Sequence, residues 1–274
     1  MTIGIGLPVA DPLQLTEWAA RAERAGFSTV GLLDRLAYDN PDPLITLAVL
    51  VGATERIRVQ TEVLIAPLHR TATLAKQTAT LDRLSRGRFT LGIGIGGHTD
   101  DYDVARVDSG TRGRRLDDQM IRLRAIWSGT GAPIGPAPAT PGGPPVLFGG
   151  FVDSVLDRVG RFGDGFLGAG LPPSIMEGTF AGVRAAWQRH GRTGTPRLVA
   201  QVNAGLGAAE QARAELRRYY GANPYLGHIL DGLVTTEKQV RTAVADYTDA
   251  GADEVMFYCW ASDPGQVGRL AAAL

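Results

Sequence analysis

The chain has 274 residues, 44% hydrophobic and 20% charged, a balance that excludes an intrinsically disordered polymer. Basic and acidic residues number 28 each, so no net basic field invites a nucleic acid, and the single cysteine, Cys259, excludes an intrachain disulfide framework. Glycine is abundant, at 36 residues, but lacks the Gly-X-Y period of collagen.

In chain order, Ile3–Pro8 reads as a short apolar strand. Asp11-Pro12-Leu13-Gln14 then offers an N-cap followed by a proline at the first helical position. Leu15, Trp18, Ala19 and Ala22 follow at helical spacing until Gly26. Ser28–Asp34 predicts a second strand that ends on a carboxylate, and Pro43–Thr54 a helix. Ile57–Ile65 is β-branched and predicts a third strand, Thr71–Ser85 a helix closed by Gly87, and Phe89–Ile95 a fourth strand.

His98–Gly110 is polar and lacks helical periodicity, so it predicts a loop. Leu116, Met120, Leu123 and Trp127 mark the next helix, and the Gly/Pro-rich stretch 129–145 a surface loop. Strands follow at Val146–Phe148, Gly165–Gly168, Arg197–Ala204 and Glu254–Cys259, with helical segments between them and after the last. Ser174 and Glu177 have the spacing of a capping box. Eight strands, each followed by a helix, predict one α/β domain over residues 1–274, a single (β/α)8 TIM barrel.

The glycines are not spread evenly. Nineteen of the 36 fall between Gly87 and Gly170. Gly92–Gly97 contains a literal G-x-G-x-x-G, but a dinucleotide fingerprint must open a helix, and a polar loop is expected there. Gly96-Gly97 and Gly149-Gly150 instead stand at the carboxyl ends of consecutive strands, the face where barrels keep their sites. Bare backbone amides there, with a helix starting near Ser154, suit a phosphate. His98 has no second histidine at helical spacing, so no metal site is expected. The N-terminus lacks the basic and apolar regions of a signal peptide, and a cytoplasmic protein is expected.

The stretch Thr61–Gly97, TEVLIAPLHRTATLAKQTATLDRLSRGRFTLGIGIGG, strongly resembles the luciferase-like flavin-dependent monooxygenase and reductase family. Gly31–Arg35, Tyr38–Leu44, Thr111–Asp118, Pro144–Gly150 and Gly163–Gly170 fit the same family in the same order. The resemblance implies a bacterial luciferase-like barrel that holds FMN, or alternatively coenzyme F420, at its mouth. It implies a cofactor phosphate among Gly96, Gly97, Gly149, Gly150, Phe151 and Ser154, and a ring set against a non-proline cis peptide at Glu62–Val63, with Asp34 nearby.

Where many members have histidine after the acidic residue of the second strand, this chain has Arg35. Arg35 is therefore a candidate for binding an anion or stabilising negative charge, and acid–base work falls to His98, Glu62 or water. The longer anionic tail of F420 would look to Arg35, Arg70, Arg106 and Arg112. The cluster Arg112, Arg114 and Arg115 is either a solvated helix start or a partner for the cofactor's anionic end.

The implied activity is monooxygenation of a small organic substrate by reduced FMN and O₂, with a separate flavin reductase as partner and a homodimer as assembly. F420-dependent hydride transfer is the alternative. A barrel without flavin that acts as a binding or accessory protein, and a cofactor-free lyase or hydrolase on a phosphorylated substrate, are the further alternatives. Gly150→Val is expected to weaken cofactor binding with little loss of stability.

Overall fold

The computed structural model describes residues 1–8, 11–221 and 223–274. Its strands are β1 (Thr2–Gly6), β2 (Thr29–Leu32), β3 (Arg58–Thr61), β4 (Leu64–Ile65) and β5 (Phe89–Gly94), then β6 (Val146–Gly149), β7 (Gly165–Leu167), β8 (Arg197–Ala204) and β9 (Glu254–Cys259). Every pairing is parallel, and the order β3-β2-β1-β9-β8-β7-β6-β5-β4 closes on itself because β3 also pairs with β5. Segments β3 and β4 are two pieces of one strand, interrupted at Glu62–Val63, so eight strand positions form a closed TIM barrel.

The helices are α1 (Pro12–Arg24), α2 (Pro43–Gly52), α3 (Thr71–Leu84), α4 (Thr99–Ala105), α5 (Arg112–Trp127), α6 (Asp153–Phe162), α7 (Pro173–Arg189), α8 (Ala209–Tyr220), α9 (Leu226–Asp231), α10 (Glu237–Asp249) and α11 (Gly265–Ala273). In α1, Asp11 is the N-cap, its carboxylate accepting from the Leu13 amide, and Leu15, Trp18, Ala19 and Ala22 are buried against the barrel. Leu116, Met120, Leu123 and Trp127 do the same in α5. Ser174 caps nothing: it lies inside α7, which begins at Pro173 behind the N-cap Pro172, and the ring of Pro173 supplies a helix-compatible start without a side-chain acceptor. Among the described residues no helix is long and apolar enough to cross a membrane.

The inside of the barrel is divided into three zones. Leu147, Leu167, Val199 and Met256 form an apolar plug with Val63 packed on it. Below it, at the amino ends of the strands, the buried Glu254 carboxylate accepts from Ser28 and Thr29 and pairs with Arg197 and Arg58. Above it, large polar side chains lean over bare backbone. A Cβ on Gly6 would lie 2.0 Å from the Tyr258 ring, and one on Gly31 would lie 2.3 Å from the Glu62 carboxyl carbon. Glycine at these two places on β1 and β2 makes the room that Tyr258 and Glu62 occupy.

Candidate active site

A cavity of about 310 Å³ opens at the carboxyl ends of the strands. Asp34, Arg35, Glu62, Val63, Gly96, Gly97, His98, Gly149, Gly150 and Phe151, all singled out in the sequence, line it together. Ser154 does not line it. It lies exposed on α6, and its hydroxyl accepts a long hydrogen bond from Arg158 at 3.4 Å. Arg70, Arg106 and Arg112 are also outside the cavity, and Arg114 and Arg115 line a separate surface cleft with Arg122. Cys259 is buried and stays out of the cavity, whereas its neighbour Trp260 faces in.

The two sides of the cavity differ in chemistry. One side is largely backbone: Gly94, Gly96 and Gly97 at the end of β5, Gly149 and Gly150 at the end of β6, Gly168 after β7, and the Glu62–Val63 bulge. The bulge peptide is cis, as the resemblance implied. No side chain caps the N-terminus of α6 beyond Gly150, so its first amides are free for an anion, although Asp153 places an acidic group in that first turn. Gly97 faces open space, with nothing within 4 Å of where a Cβ would stand.

The opposite side is aromatic. Tyr219 packs 4.9 Å from Tyr220 and 5.2 Å from Trp260, centroid to centroid, and Trp260 lies 5.5 Å from Tyr258. His98 meets the Tyr219 ring edge-on at 5.7 Å. Tyr219, Tyr220, Asn223, Gln201 and Tyr258 line the cavity but were missed in the sequence. Tyr258 had a usable signal, because it stands two residues before Trp260 and alternate strand residues share a face. Tyr219 and Tyr220 had none, since α8 lies far along the chain from the glycine motifs. They reach the mouth because Leu216 and Ala212 bury the helix against Leu33, Tyr258 and Trp260.

The loop expected after Gly97 instead contains the helix α4. Its sequence has no apolar stripe because its inner face is electrostatic. Asp101, fully buried, accepts from Arg35 Nε at 2.6 Å and from the amides of Leu36 and Ala37 at 2.8 and 2.7 Å. Asp100 receives Arg35 Nη2 at 2.9 and 2.8 Å on its two oxygens, and Tyr102 donates to the Ile95 carbonyl. Both aspartates lie in the first turn, where they also suit the helix dipole.

Arg35 is therefore held on two carboxylates, its guanidinium 5.6 Å from the Tyr38 and Tyr219 ring centres. This pairing neutralises it inside the wall and leaves it poorly disposed to recognise an anionic ligand.

The remaining titratable groups are tuned by burial. Burial pushes the Asp34 carboxyl up to about 6, against the pull of the hydrogen bond it accepts from Ile65 at 2.8 Å. Burial pushes Glu62 up to about 8. Burial and the Arg35 charge hold the His98 imidazole below its ordinary value, so it is neutral at pH 7. At pH 7 the site thus offers a largely ionised Asp34 beside a largely neutral Glu62 and His98, a glycine-lined side and an aromatic side.

The fold matches solved structures along its whole length. An F420-dependent secondary alcohol dehydrogenase in complex with an F420–acetone adduct superposes with a TM-score of 0.84 at 16% identity, covering 100% of this chain and 98% of that one. The oxygenating constituent of 3,6-diketocamphane monooxygenase from Pseudomonas putida, in complex with FMN, gives 0.76 at 14% identity, covering 99% and 96%. At these identities the likeness is one of fold. An uncharacterised protein of Mycobacterium tuberculosis (strain ATCC 25618 / H37Rv) is 30% identical over 171 residues, which is 58% of this chain and 60% of that relative's length. The profile of the family described as luciferase-like monooxygenase matches residues 4–255, nearly the entire barrel, and the chain belongs to that family.

Proposed function

We propose that this protein is an oxidoreductase with a flavin-type cofactor, and that it monooxygenates a small organic substrate with reduced FMN and O₂. The observation that carries this is one cavity in which the glycine ends of β5 and β6 face an aromatic wall, with the uncapped start of α6 at its rim. Gly96, Gly97, Gly149, Gly150 and the Phe151 amide would hold the phosphate end, with Ser154 one step farther out. Glu62 and Val63 would back the ring, and Asp34 would fix the β4 end of the bulge through its bond to Ile65. Bound there, the cofactor would supply the redox chemistry. The chain's own part is to hold it, to keep water out with Tyr219, Tyr220 and Trp260, and to offer neutral donors from Glu62 and His98. The aromatic wall and the neutralised Arg35 favour a flat or apolar, uncharged substrate.

Two features favour FMN over F420, which is the second reading. The arginines suited to a longer anionic tail, Arg70, Arg106 and Arg112, lie outside the cavity, and Arg35 is already paired. A separate reductase as partner is supported by the FMN-bound Pseudomonas protein, which is an oxygenating constituent. A homodimer is supported by the apolar outer face of α2, where Ile45 and Val49 are 68% and 54% exposed.

Absorbance titration of the purified protein with FMN and with F420, each oxidised and reduced, tests the proposal. Saturable FMN binding, with substrate-dependent O₂ uptake when reduced FMN is supplied, is the expected result. F420 binding alone would favour hydride transfer. Binding of neither at high micromolar concentration would refute the oxidoreductase and leave a binding protein or a cofactor-free enzyme.

A further inference from the structure

Three polar side chains borne by the barrel strand positions line the cavity, Glu62, Gln201 and Tyr258, and they differ in what is left of them for a ligand. Glu62 and Tyr258 are buried. Glu62 accepts from Gln60 at 2.9 Å, and the Tyr258 phenol oxygen accepts from the Leu33 amide at 2.9 Å. Gln201 is only half-buried, and its carboxamide makes no hydrogen bond to any described residue. Neither of its amide atoms is sealed from water.

Its place in β8 accounts for this. Alternate residues of a strand share a face. Arg197 meets Glu254 inside the amino end of the barrel and Val199 belongs to the apolar plug, so Gln201, next on that face, stands on the plug and looks into the cavity. Beside it, β7 brings only Leu167, Gly168 and Ala169 to the cavity wall, none with a polar side chain. Asn203, the following residue of that face, is taken up by Trp260, whose indole Nε1 donates to Asn203 Oδ1 at 2.7 Å. A carboxamide withdrawn from bulk water needs partners for its two donors and its acceptor. Here they must come from the cavity side.

Going round the barrel in either direction, β8 is the fourth strand position from the Glu62–Val63 bulge, so Gln201 lies across the cavity from it. The bulge and the glycine ends of β5 and β6 are the side assigned above to the cofactor. Gln201 stands on the other side, at the foot of the aromatic wall beside Tyr258 and Trp260. Arg35, the arginine that lines the cavity, is already held by Asp100 and Asp101. A carboxylate, sulfonate or phosphate on a ligand in this half would lack a counter-charge, whereas a carboxamide suits a neutral oxygen.

We propose that Gln201 orients the substrate, its Nε2 donating to an uncharged carbonyl or hydroxyl oxygen on a ring that lies against the Tyr258–Trp260 side. The assignment rests on the oxidoreductase reading of this cavity and gives it a substrate class: neutral ring ketones and phenols, rather than hydrocarbons or acids.

The test titrates wild type and Gln201→Met, which keeps length but has neither donor nor amide acceptor, with acetophenone, p-ethylphenol and ethylbenzene. The first two differ from the third by one oxygen. Binding is read from the visible band of the cofactor-loaded protein and, without cofactor, from indole fluorescence, since Trp260 lines the cavity. The wild type should bind at least one oxygenated probe about fivefold more tightly than ethylbenzene, as one hydrogen bond implies. In Gln201→Met that preference should vanish while affinity for FMN or F420 stays within about twofold. Gln201→Ala, which adds no bulk, replaces Gln201→Met should the latter fail to fold, with the same loss of preference expected.

No preference in the wild type, whether by equal binding or by none, would overturn the assignment. So would a preference that survives in the variant, or a variant that loses cofactor affinity about tenfold, which would put the amide on the cofactor instead. Failure of the wild type to bind either cofactor would remove the oxidoreductase reading, and the oxygen preference of the cofactor-free protein would still decide whether Gln201 reads the ligand.

Discussion

Replacing Asp101 tests whether a buried charge cluster, rather than an apolar face, holds the mouth of this barrel together. The Arg35 side chain is 4% exposed and that of Asp101 is 0% exposed, at 2.6 Å. Removing one member of a buried pair leaves an uncompensated charge and typically costs about 3–5 kcal/mol. Asp101→Asn keeps an oxygen for the Leu36 and Ala37 amides but turns a donor, or nothing, toward Arg35. Asp100, at 56% exposure, still holds Nη2, so the expected loss is about 3 kcal/mol, near the bottom of that range. Asp101→Ala also strips an acceptor from two backbone amides and should lose about 1 kcal/mol more.

Arg35→Met removes the stranded cation, so the double variant Arg35→Met/Asp101→Asn should be more stable than the two single losses imply, with a coupling of about 2 kcal/mol. Urea unfolding of the four proteins at pH 7 measures all of this. A loss below about 1 kcal/mol for Asp101→Asn, or strict additivity in the cycle, would refute the view that this pair anchors α4 to the β2–α2 loop.

At Gly97 there is open space, so Gly97→Val should leave the unfolding midpoint essentially unchanged while weakening FMN binding by at least about tenfold; unaltered FMN affinity would move the cofactor off this wall. Gly150→Val, by contrast, should lose stability as well as binding, because Gly150 sits at φ +142° with Val155 2.8 Å from a Cβ, and so the two glycines separate crowding of a ligand from strain in the chain.

The contribution of Asp34 and Glu62 to stability should fall as pH rises from about 4 to about 8. Unfolded Asp34 and Glu62 release protons near their ordinary values of 3.8 and 4.5, whereas the folded protein holds them to about 6 and about 8. The folded state thus binds more protons in that window, and each group contributes a slope approaching about 1.4 kcal/mol per pH unit. Glu62→Gln should flatten the upper part of the curve, and an unchanged slope would show that Glu62 is ionised in the fold. At the other end of the barrel, Glu254→Ala should cost about 1–3 kcal/mol with cofactor affinity of the remaining folded protein unaltered, because Ser28 and Thr29 lose their acceptor far from the mouth while Arg197 and Arg58, 25% and 40% exposed, stay partly solvated; loss of affinity at full stability would contradict this division.

Several parts of the site were legible because their signal is local. The β-branched run Ile57–Ile65 announced a strand, although its break at Glu62–Val63 came from resemblance rather than from any residue pattern. The helix α4 was hidden because helical periodicity is a hydrophobic signal, and this helix is held by Asp100 and Asp101 on Arg35. Ser154, which the resemblance put at the phosphate, turns outward one residue inside α6, where helical geometry rather than sequence distance decides direction.

Alternating strands and helices, the cap at Asp11, and the glycine pairs at consecutive strand ends determined by themselves that this chain is a barrel with bare backbone gathered at the carboxyl ends of its strands. Those features depend on residues within a few positions of one another. Tertiary structure alone decided which charges meet and which polar atoms go unpaired. Arg35 finds Asp101, 66 residues on, and becomes a strut; Tyr219 and Tyr220 arrive from α8 to build the second wall; and Glu62 is left with an unpartnered oxygen over Gly31. The physical reason is that partnership between buried polar groups is set by barrel closure, which brings together strands and loops that the linear chain keeps far apart.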